Sequence, residues 1–193
     1  LGLPQALYSH EQAPASGVRR IDIHSVLGAI SPRPPASHKG KFGHVMVIGG
    51  DRGFGGAPLM AAEASLRGGA GLVSVVTRSE HRAGFLARRP ELMVHGTEDH
   101  DYDLGQLMQR ASVLVIGPGL GLGPWGEELL RMSLQAASKK SLPVIIDADA
   151  LTLLAINSAD YLVIKKDTWA LTPHPGEAAR LLDTTVSDIQ LDR

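Results

Sequence analysis

Four stretches of this chain place chemistry-bearing residues directly after short apolar runs or strand candidates. The first, Thr172-Pro-His-Pro-Gly-Glu177, sets a histidine between two prolines, ahead of a glycine and a glutamate. Proline fixes its own φ and restricts the residue before it, so the backbone of His174 is held rigidly. An imidazole held in this way can meet a ligand as donor or acceptor. The plainer alternative makes His174 one of eight ordinary histidines and Glu177 a residue that favours a helix start electrostatically. The second stretch, Asp147-Ala-Asp149, puts two carboxylates beyond Val144–Ile146. They can hold Mg2+ through water or orient a hydroxyl. Alternatively Asp149 caps the following helix, which is the reading preferred for that residue.

The other two stretches are rich in glycine. Gly49-Gly-Asp-Arg-Gly-Phe-Gly-Gly-Ala-Pro58 carries five glycines in ten residues, so a ligand can approach its backbone closely. A helix opening near Pro58-Leu59 would turn free N–H groups toward an anion. A flexible solvent loop is the alternative. Gly117-Pro-Gly-Leu-Gly-Leu-Gly-Pro-Trp-Gly126 contains Gly121-x-Gly123-x-x-Gly126. That spacing matches a dinucleotide fingerprint, and Asp147 stands roughly 20 residues on, where a ribose-binding acid would lie. Against it, the fingerprint starts several residues after the apolar run ends at Ile116 rather than on the strand–helix turn. Other reactive patterns are missing: there is no Gly-x-Ser-x-Gly elbow, no His-Glu-x-x-His and no Walker lysine. Trp125 and Trp169 read as packing residues.

The elements that must position these loops follow a strand–turn–helix rhythm from Lys41 onward. Short apolar or β-branched runs at Val45–Ile48, Leu72–Thr77, Val113–Ile116 and Val144–Ile146 suit strands buried on both faces. Leu92–Val94, Tyr161–Ile164 and Trp169–Leu171 are shorter strand candidates. Helices are expected at Leu59–Arg67, Ser79–Arg88 capped by Ser79, Asp103–Arg110 capped by Asp103, Gly126–Ala137, Ala150–Ile156 and Glu177–Leu182, with one more beginning at Ser187. A short helix at Ile21–Leu27 and a stiff Ser31–Pro35 linker precede them. Alternating buried strands and helices of these lengths mean an α/β domain with a largely parallel sheet. Ligands of such sheets bind beyond the carboxyl ends of the strands, where all four stretches lie.

Composition narrows the function. A hydrophobic share of 44% supports one sizeable core, and a net charge of −1 argues against a polyanion partner such as nucleic acid. The absence of cysteine excludes disulfides, thiolate zinc sites and a cysteine nucleophile. No apolar run approaches the roughly 18 residues of a membrane span, and no secretory signal pattern opens the chain, so the cytoplasm is the expected compartment. Residue 1 is Leu and the chain stops within a helix just begun, so both ends are expected to be cut.

Six motifs in order resemble the NAD(P)H-hydrate dehydratases. They are His38-Lys-Gly40 with Phe42-Gly43 and Val45-Met-Val-Ile-Gly-Gly50; the Ala61–Thr77 segment; Arg89-Pro-Glu-Leu-Met93; Gly117-Pro-Gly-Leu-Gly121; Asp147-Ala-Asp-Ala-Leu151; and Leu171-Thr-Pro-His-Pro-Gly-Glu177. The resemblance spans about residues 36 to 193 and is nearest to the bacterial bifunctional repair enzymes. It implies a ribokinase-like fold, with residues 1–20 as the tail of a preceding epimerase-like domain and 21–193 as the first two-thirds of the dehydratase domain. It implies dehydration of hydrated NADH or NADPH with ADP or ATP as co-substrate, Mg2+, and a homo-oligomer. The ring hydroxyl would be phosphorylated and phosphate then eliminated. By position, Ala57, Gly119 and His174 would contact the hydrated cofactor, Gly117 and Gly121 would shape that loop, and Asp147 would lie on the substrate side. The family's nucleotide loops and catalytic Asp have no counterpart before Arg193, so this polypeptide alone is expected to be inactive. The rival readings are a Rossmann oxidoreductase, a ribokinase-like kinase of a small molecule, and a non-catalytic nucleotide-binding module.

Overall fold

The computed structural model describes residues 32–157, 161 and 166–191. The chain divides into two units, residues 1–37 and 38–193. Of the first, the described part closes a turn in which Ser37 donates from both N–H and hydroxyl to the Pro34 carbonyl. The expected helix at residues 21–27 lies outside the described residues, as does all but Tyr161 of the strand candidate at 161–164.

In the second unit six strands form one wholly parallel sheet in the order β3-β2-β1-β4-β5-β6. They are β1 His44–Ile48, β2 Leu72–Thr77, β3 Met93–Gly96, β4 Val113–Ile116, β5 Val144–Ile146 and β6 Trp169–Leu171. The helices are α1 Gly56–Arg67, α2 Arg82–Arg88, α3 Leu104–Arg110, α4 Pro124–Lys140, α5 Asp149–Ile156, α6 Pro175–Leu181 and α7 Val186–Leu191. Strand alternation sorts the side chains into two cores. Val47, Val73, Val75 and Val94 pack with Ala62 of α1 and Phe85 of α2. Met46, Ile48, Leu114, Ile116, Val144 and Ile146 pack against α3, α4 and α5 through Met108, Leu130, Leu134 and Leu151. The chain therefore winds outward from β1 to β3 on one face and from β4 to β6 on the other. The direction reverses between β1 and β4, and in sheets of this kind ligands bind beyond the carboxyl ends of the strands at such a reversal.

Six of the seven expected strands are present, with shifts of at most two residues at either end; of the seventh, at 161–164, the described residue Tyr161 is helical. Helix starts differ more. α1 begins at Gly56, two residues before Pro58, because a proline in the first turn forfeits only an N–H that has no partner within the helix. α4 runs from Pro124 to Lys140 rather than 126–137, since Pro124 at its first position is already set for a helix. Ser79 does not cap α2. It opens a 3-10 turn, Ser79–His81, and its N–H and hydroxyl both donate to Glu98. Asp103 does cap α3, accepting from the Gln106 N–H at 3.0 Å. Thr185, not Ser187, caps α7 by accepting from the Asp188 N–H. Among the described residues, no helix is long and apolar enough to cross a membrane.

Leu134 is fully buried in α4, whereas Met132 on the same helix is 41% exposed. Leu134→Ala is expected to lower unfolding stability by about 2–5 kcal/mol, and Met132→Ala by less than about 1 kcal/mol, in urea titrations of the protein.

Candidate active site

Parallel register lines up the strand ends. Ile48 pairs with Val76 on one side and Ile116 on the other, and Ile116 with Ile146. The ladder continues one residue further. Thr97 donates to Thr77, Gly49 to Val76, Gly117 to Ile48, Asp147 to Ile116 and Thr172 to Ile146, at 2.9–3.1 Å. Five loops therefore leave the sheet along one edge, and the four stretches singled out by their chemistry are among them.

The glycine-rich loops meet backbone to backbone. Gly50 donates to the carbonyls of Pro118 and Gly119, and Asp51 donates to Gly119 at 2.7 Å. Gly119 has φ 61°, and a Cβ on it would stand 2.7 Å from the Phe54 carbonyl oxygen and 3.4 Å from the Ala57 Cβ. Gly117, at φ 125°, lies so close to Asp147 that any side chain would overlap the Asp147 carbonyl. Only glycine tolerates both the φ and the contact at these two positions. Ala57 and Gly119 are thus neighbours, and so are Gly117 and Asp147. Ala57 sits in the first turn of α1, next to N–H groups that the helix itself leaves without acceptors.

The two carboxylates after β5 have separate duties. Asp147 accepts from the Thr172 hydroxyl at 2.8 Å. Asp149 is the first residue of α5 and does not cap it; its carboxylate reaches back to accept from the Gly121 N–H at 2.8 Å. The expected capping role is therefore wrong, because the loop after β4 presents a free donor at closer range. Between them Ala148 has φ 48° and ψ −123°, a conformation that strains a residue with a Cβ by about 1–3 kcal/mol. Among the described residues no three His, Asp or Glu side chains converge as a metal site requires. Asp147 and Asp149 do not form a Mg2+ cage by themselves.

His174 lies on the β6 side of this edge, two residues beyond Thr172. It caps α6: Nδ1 accepts from the Gly176 N–H at 3.0 Å, and Glu177 returns its carboxylate to the His174 N–H at 2.9 Å. An N–H can only donate, so Nδ1 is unprotonated in this arrangement and the ring proton sits on Nε2, 3.3 Å from Glu177. Glu177 is buried, while 63% of the His174 side chain is open to solvent. Among the described residues no hydrogen bond joins His174 to Ala57 or Gly119; Thr172 and Asp147 link the two groups.

Sequence reasoning missed the polar network beneath the glycine loops. Arg78 follows β2 directly and donates to Asp51 at 2.7 Å and to Glu98 at 2.8 Å. Its guanidinium lies 4.3 Å from the ring centroid of Trp125. Trp125 is therefore more than packing, and its indole N–H donates to Thr97. Burial pushes the Glu98 carboxyl up, but hydrogen bonds from the Ser79 N–H, Arg78 and the Ser79 hydroxyl outweigh it and hold the pKa at about 2. A signal was present: among the described strands, only β2 is followed directly by a lysine or arginine, and that residue is Arg78, at the edge where ligands bind.

The fold is that of a ribokinase-like α/β protein. A ribokinase-like superfamily protein from Enterococcus faecalis V583 superposes with a TM-score of 0.73 at 36% identity, over 82% of this chain and 54% of that one. The chain belongs to the NAD(P)H-hydrate dehydratase family, whose model matches residues 45–193. A bifunctional NAD(P)H-hydrate repair enzyme from Coxiella burnetii is 44% identical over all of this chain and 37% of its own length. An ADP-dependent (S)-NAD(P)H-hydrate dehydratase from Listeria monocytogenes is 35% identical over 85% of this chain and 58% of its own. The chain thus spans little more than a third of the bifunctional relative and under two-thirds of the other two.

The Rossmann reading loses its footing in the same geometry. The Gly121 N–H, which a pyrophosphate would need, is taken by Asp149, and Asp147, the expected ribose acid, is engaged by Thr172.

Ala148→Gly removes the strained Cβ, so the protein is expected to gain about 1 kcal/mol of stability in urea unfolding. A loss of stability would mean that φ at residue 148 is not strained.

Proposed function

We propose that this chain supplies the hydrated-nicotinamide side of an NAD(P)H-hydrate dehydratase, which restores NADH or NADPH from the ring hydrate at the expense of ADP or ATP. One observation carries the reading: the loops at 49–57, 117–121, 147–149 and 172–177 leave a single edge of the sheet beside its point of reversal. The names of the Coxiella and Listeria relatives support the substrate, and that of the Listeria enzyme supports ADP.

In this reading Ala57 and Gly119 form a close-packed floor against which the dihydropyridine ring rests. Gly117 and Gly121 hold that floor in place, and Asp147 and the exposed His174 face the ring from the β5–β6 side. The nucleotide's terminal phosphoryl passes to the ring hydroxyl. The C–O bond then breaks, its oxygen leaves with phosphate, and the neighbouring carbon loses a proton to restore the ring double bond. Such a transfer depends on positioning and charge neutralisation more than on covalent help from the protein. The residues described here do the positioning. No step is assigned to a metal, because these residues do not build a site for one. The bifunctional relatives support a second activity on the same chain, and we assign residues 1–20 to the end of an epimerase-type domain. We also propose a cytoplasmic homo-oligomer.

The test is turnover of the nicotinamide hydrate with ADP and with ATP by the full-length protein that carries this chain and by its His174→Ala variant. The variant is expected to raise KM for the hydrate about tenfold and leave KM for the nucleotide unchanged, the loss of roughly one hydrogen bond to substrate. Tight binding of intact NADH that survives His174→Ala but fails on Gly123→Val would contradict the reading in favour of an oxidoreductase. A phosphorylated product that is retained would contradict it in favour of a kinase.

A further inference from the structure

Arg78 touches both glycine loops and the loop after β3. Its Nε donates to Asp51 in the first loop, its Nη1 to Glu98 beyond β3, and its face lies on Trp125, which opens α4 after the second. Each partner is itself tied down. Asp51 donates its N–H to Gly119 and its carbonyl meets His81 Nε2 at 3.1 Å. Glu98 takes the N–H and hydroxyl of Ser79, and Trp125 donates to Thr97. Only 17% of the Arg78 side chain is exposed. A single cation thus sits between two carboxylates and an indole ring, in a place where water screens little.

We infer that Arg78 is a positioning residue. It sets the spacing between the 49–57 loop and the 117–126 loop, and so the gap beside Ala57 and Gly119 that takes the nicotinamide ring. The inference rests on the function proposed above. Asp51 joins the two loops. Its carboxylate, held by Arg78, is also the group against Gly121, since a Cβ on Gly121 would stand 2.9 Å from Asp51 Oδ2. Releasing that carboxylate loosens the base of one loop and removes the wall of the other. The tip of the first loop hangs from that base: Phe54 donates its N–H to the Asp51 carbonyl at 2.8 Å, while the residue is 62% exposed and a Cβ on Gly53 would meet nothing within 4 Å. The base at Asp51 therefore governs where Phe54 and Ala57 stand. Lysine cannot replace the arginine. A point-like ammonium can satisfy one carboxylate but cannot fork to two while lying flat on an indole.

The experiment compares the protein with Arg78→Lys and Arg78→Ala in two measurements. The first is steady-state turnover of the hydrate with ADP, read in the full-length protein that carries this chain. Both variants are expected to raise KM for the hydrate at least tenfold, with kcat within threefold and KM for ADP unchanged. The second is deuterium uptake without ligand, in which the peptide covering residues 49–57 is expected to exchange faster in both variants. Uptake in the buried strand β4 should stay unchanged. Unchanged uptake at 49–57 would overturn the inference whatever the turnover shows, as would kcat falling in step with the amount of folded protein while KM stays put. Should the full-length protein that carries this chain fail to turn over the hydrate, the proposed function falls, while the uptake comparison still decides whether Arg78 positions the loop.

Discussion

The contact between Gly117 and Asp147 is where the geometry of this protein is decided. Gly117 donates its N–H to Ile48 and lies against the Asp147 carbonyl, so three consecutive strands of the sheet, β1, β4 and β5, are drawn together just beyond their ends. No other residue type allows that approach at φ 125°. Parallel register supplies the alignment, and the missing side chain supplies the closeness. Once both are in place, the Gly119 carbonyl is in reach of Asp51, the Gly121 N–H is in reach of Asp149, and Ala57 stands beside Gly119.

Backbone contacts of this kind give a rigid floor but little chemistry. The polar groups come from the residues just past the contact points. Asp147 accepts from Thr172 across the ends of β5 and β6, and Asp149 from Gly121 across those of β4 and β5, at the cost of a strained Ala148 between the two acids. Strain of this sort persists only where surrounding contacts hold it, and here both flanking carboxylates do. His174 is fixed by a different device, a capping box with Glu177 at the start of a seven-residue helix. Of the two prolines read from the sequence as rigid supports, Pro175 is the first residue of the helix.

Much of the layout was legible because it depends on patterns of one element at a time. Buried parallel strands such as Val113–Ile116 are continuous apolar runs, and the loops after them are marked by glycine or acid. The Asp103 cap was legible for the same reason, as an acid directly before an apolar helical run. What failed was whatever depended on partners distant in sequence. Ser79 and Asp149 each sit in a good capping position, yet Glu98 and the Gly121 N–H, 19 and 28 residues away, compete for them and win. Arg78 is marked only by its place directly after a strand, and Trp125 by nothing local; their meeting is a product of sheet order, which places the ends of β2 and β4 on either side of β1. The pairing of Ala57 with Gly119 was reached through family resemblance and not through spacing.

The central claim is that the close-packed loops beside the β1–β4 reversal form the seat of the hydrated nicotinamide ring. A crystal structure of the protein with the NADPH hydrate bound tests it most directly. The account predicts the ring against Ala57 and Gly119, with His174 within hydrogen-bonding reach of the ligand. A dinucleotide lying along residues 121–126 with its ribose on Asp147, or one bound at the amino-terminal ends of the strands, would contradict it.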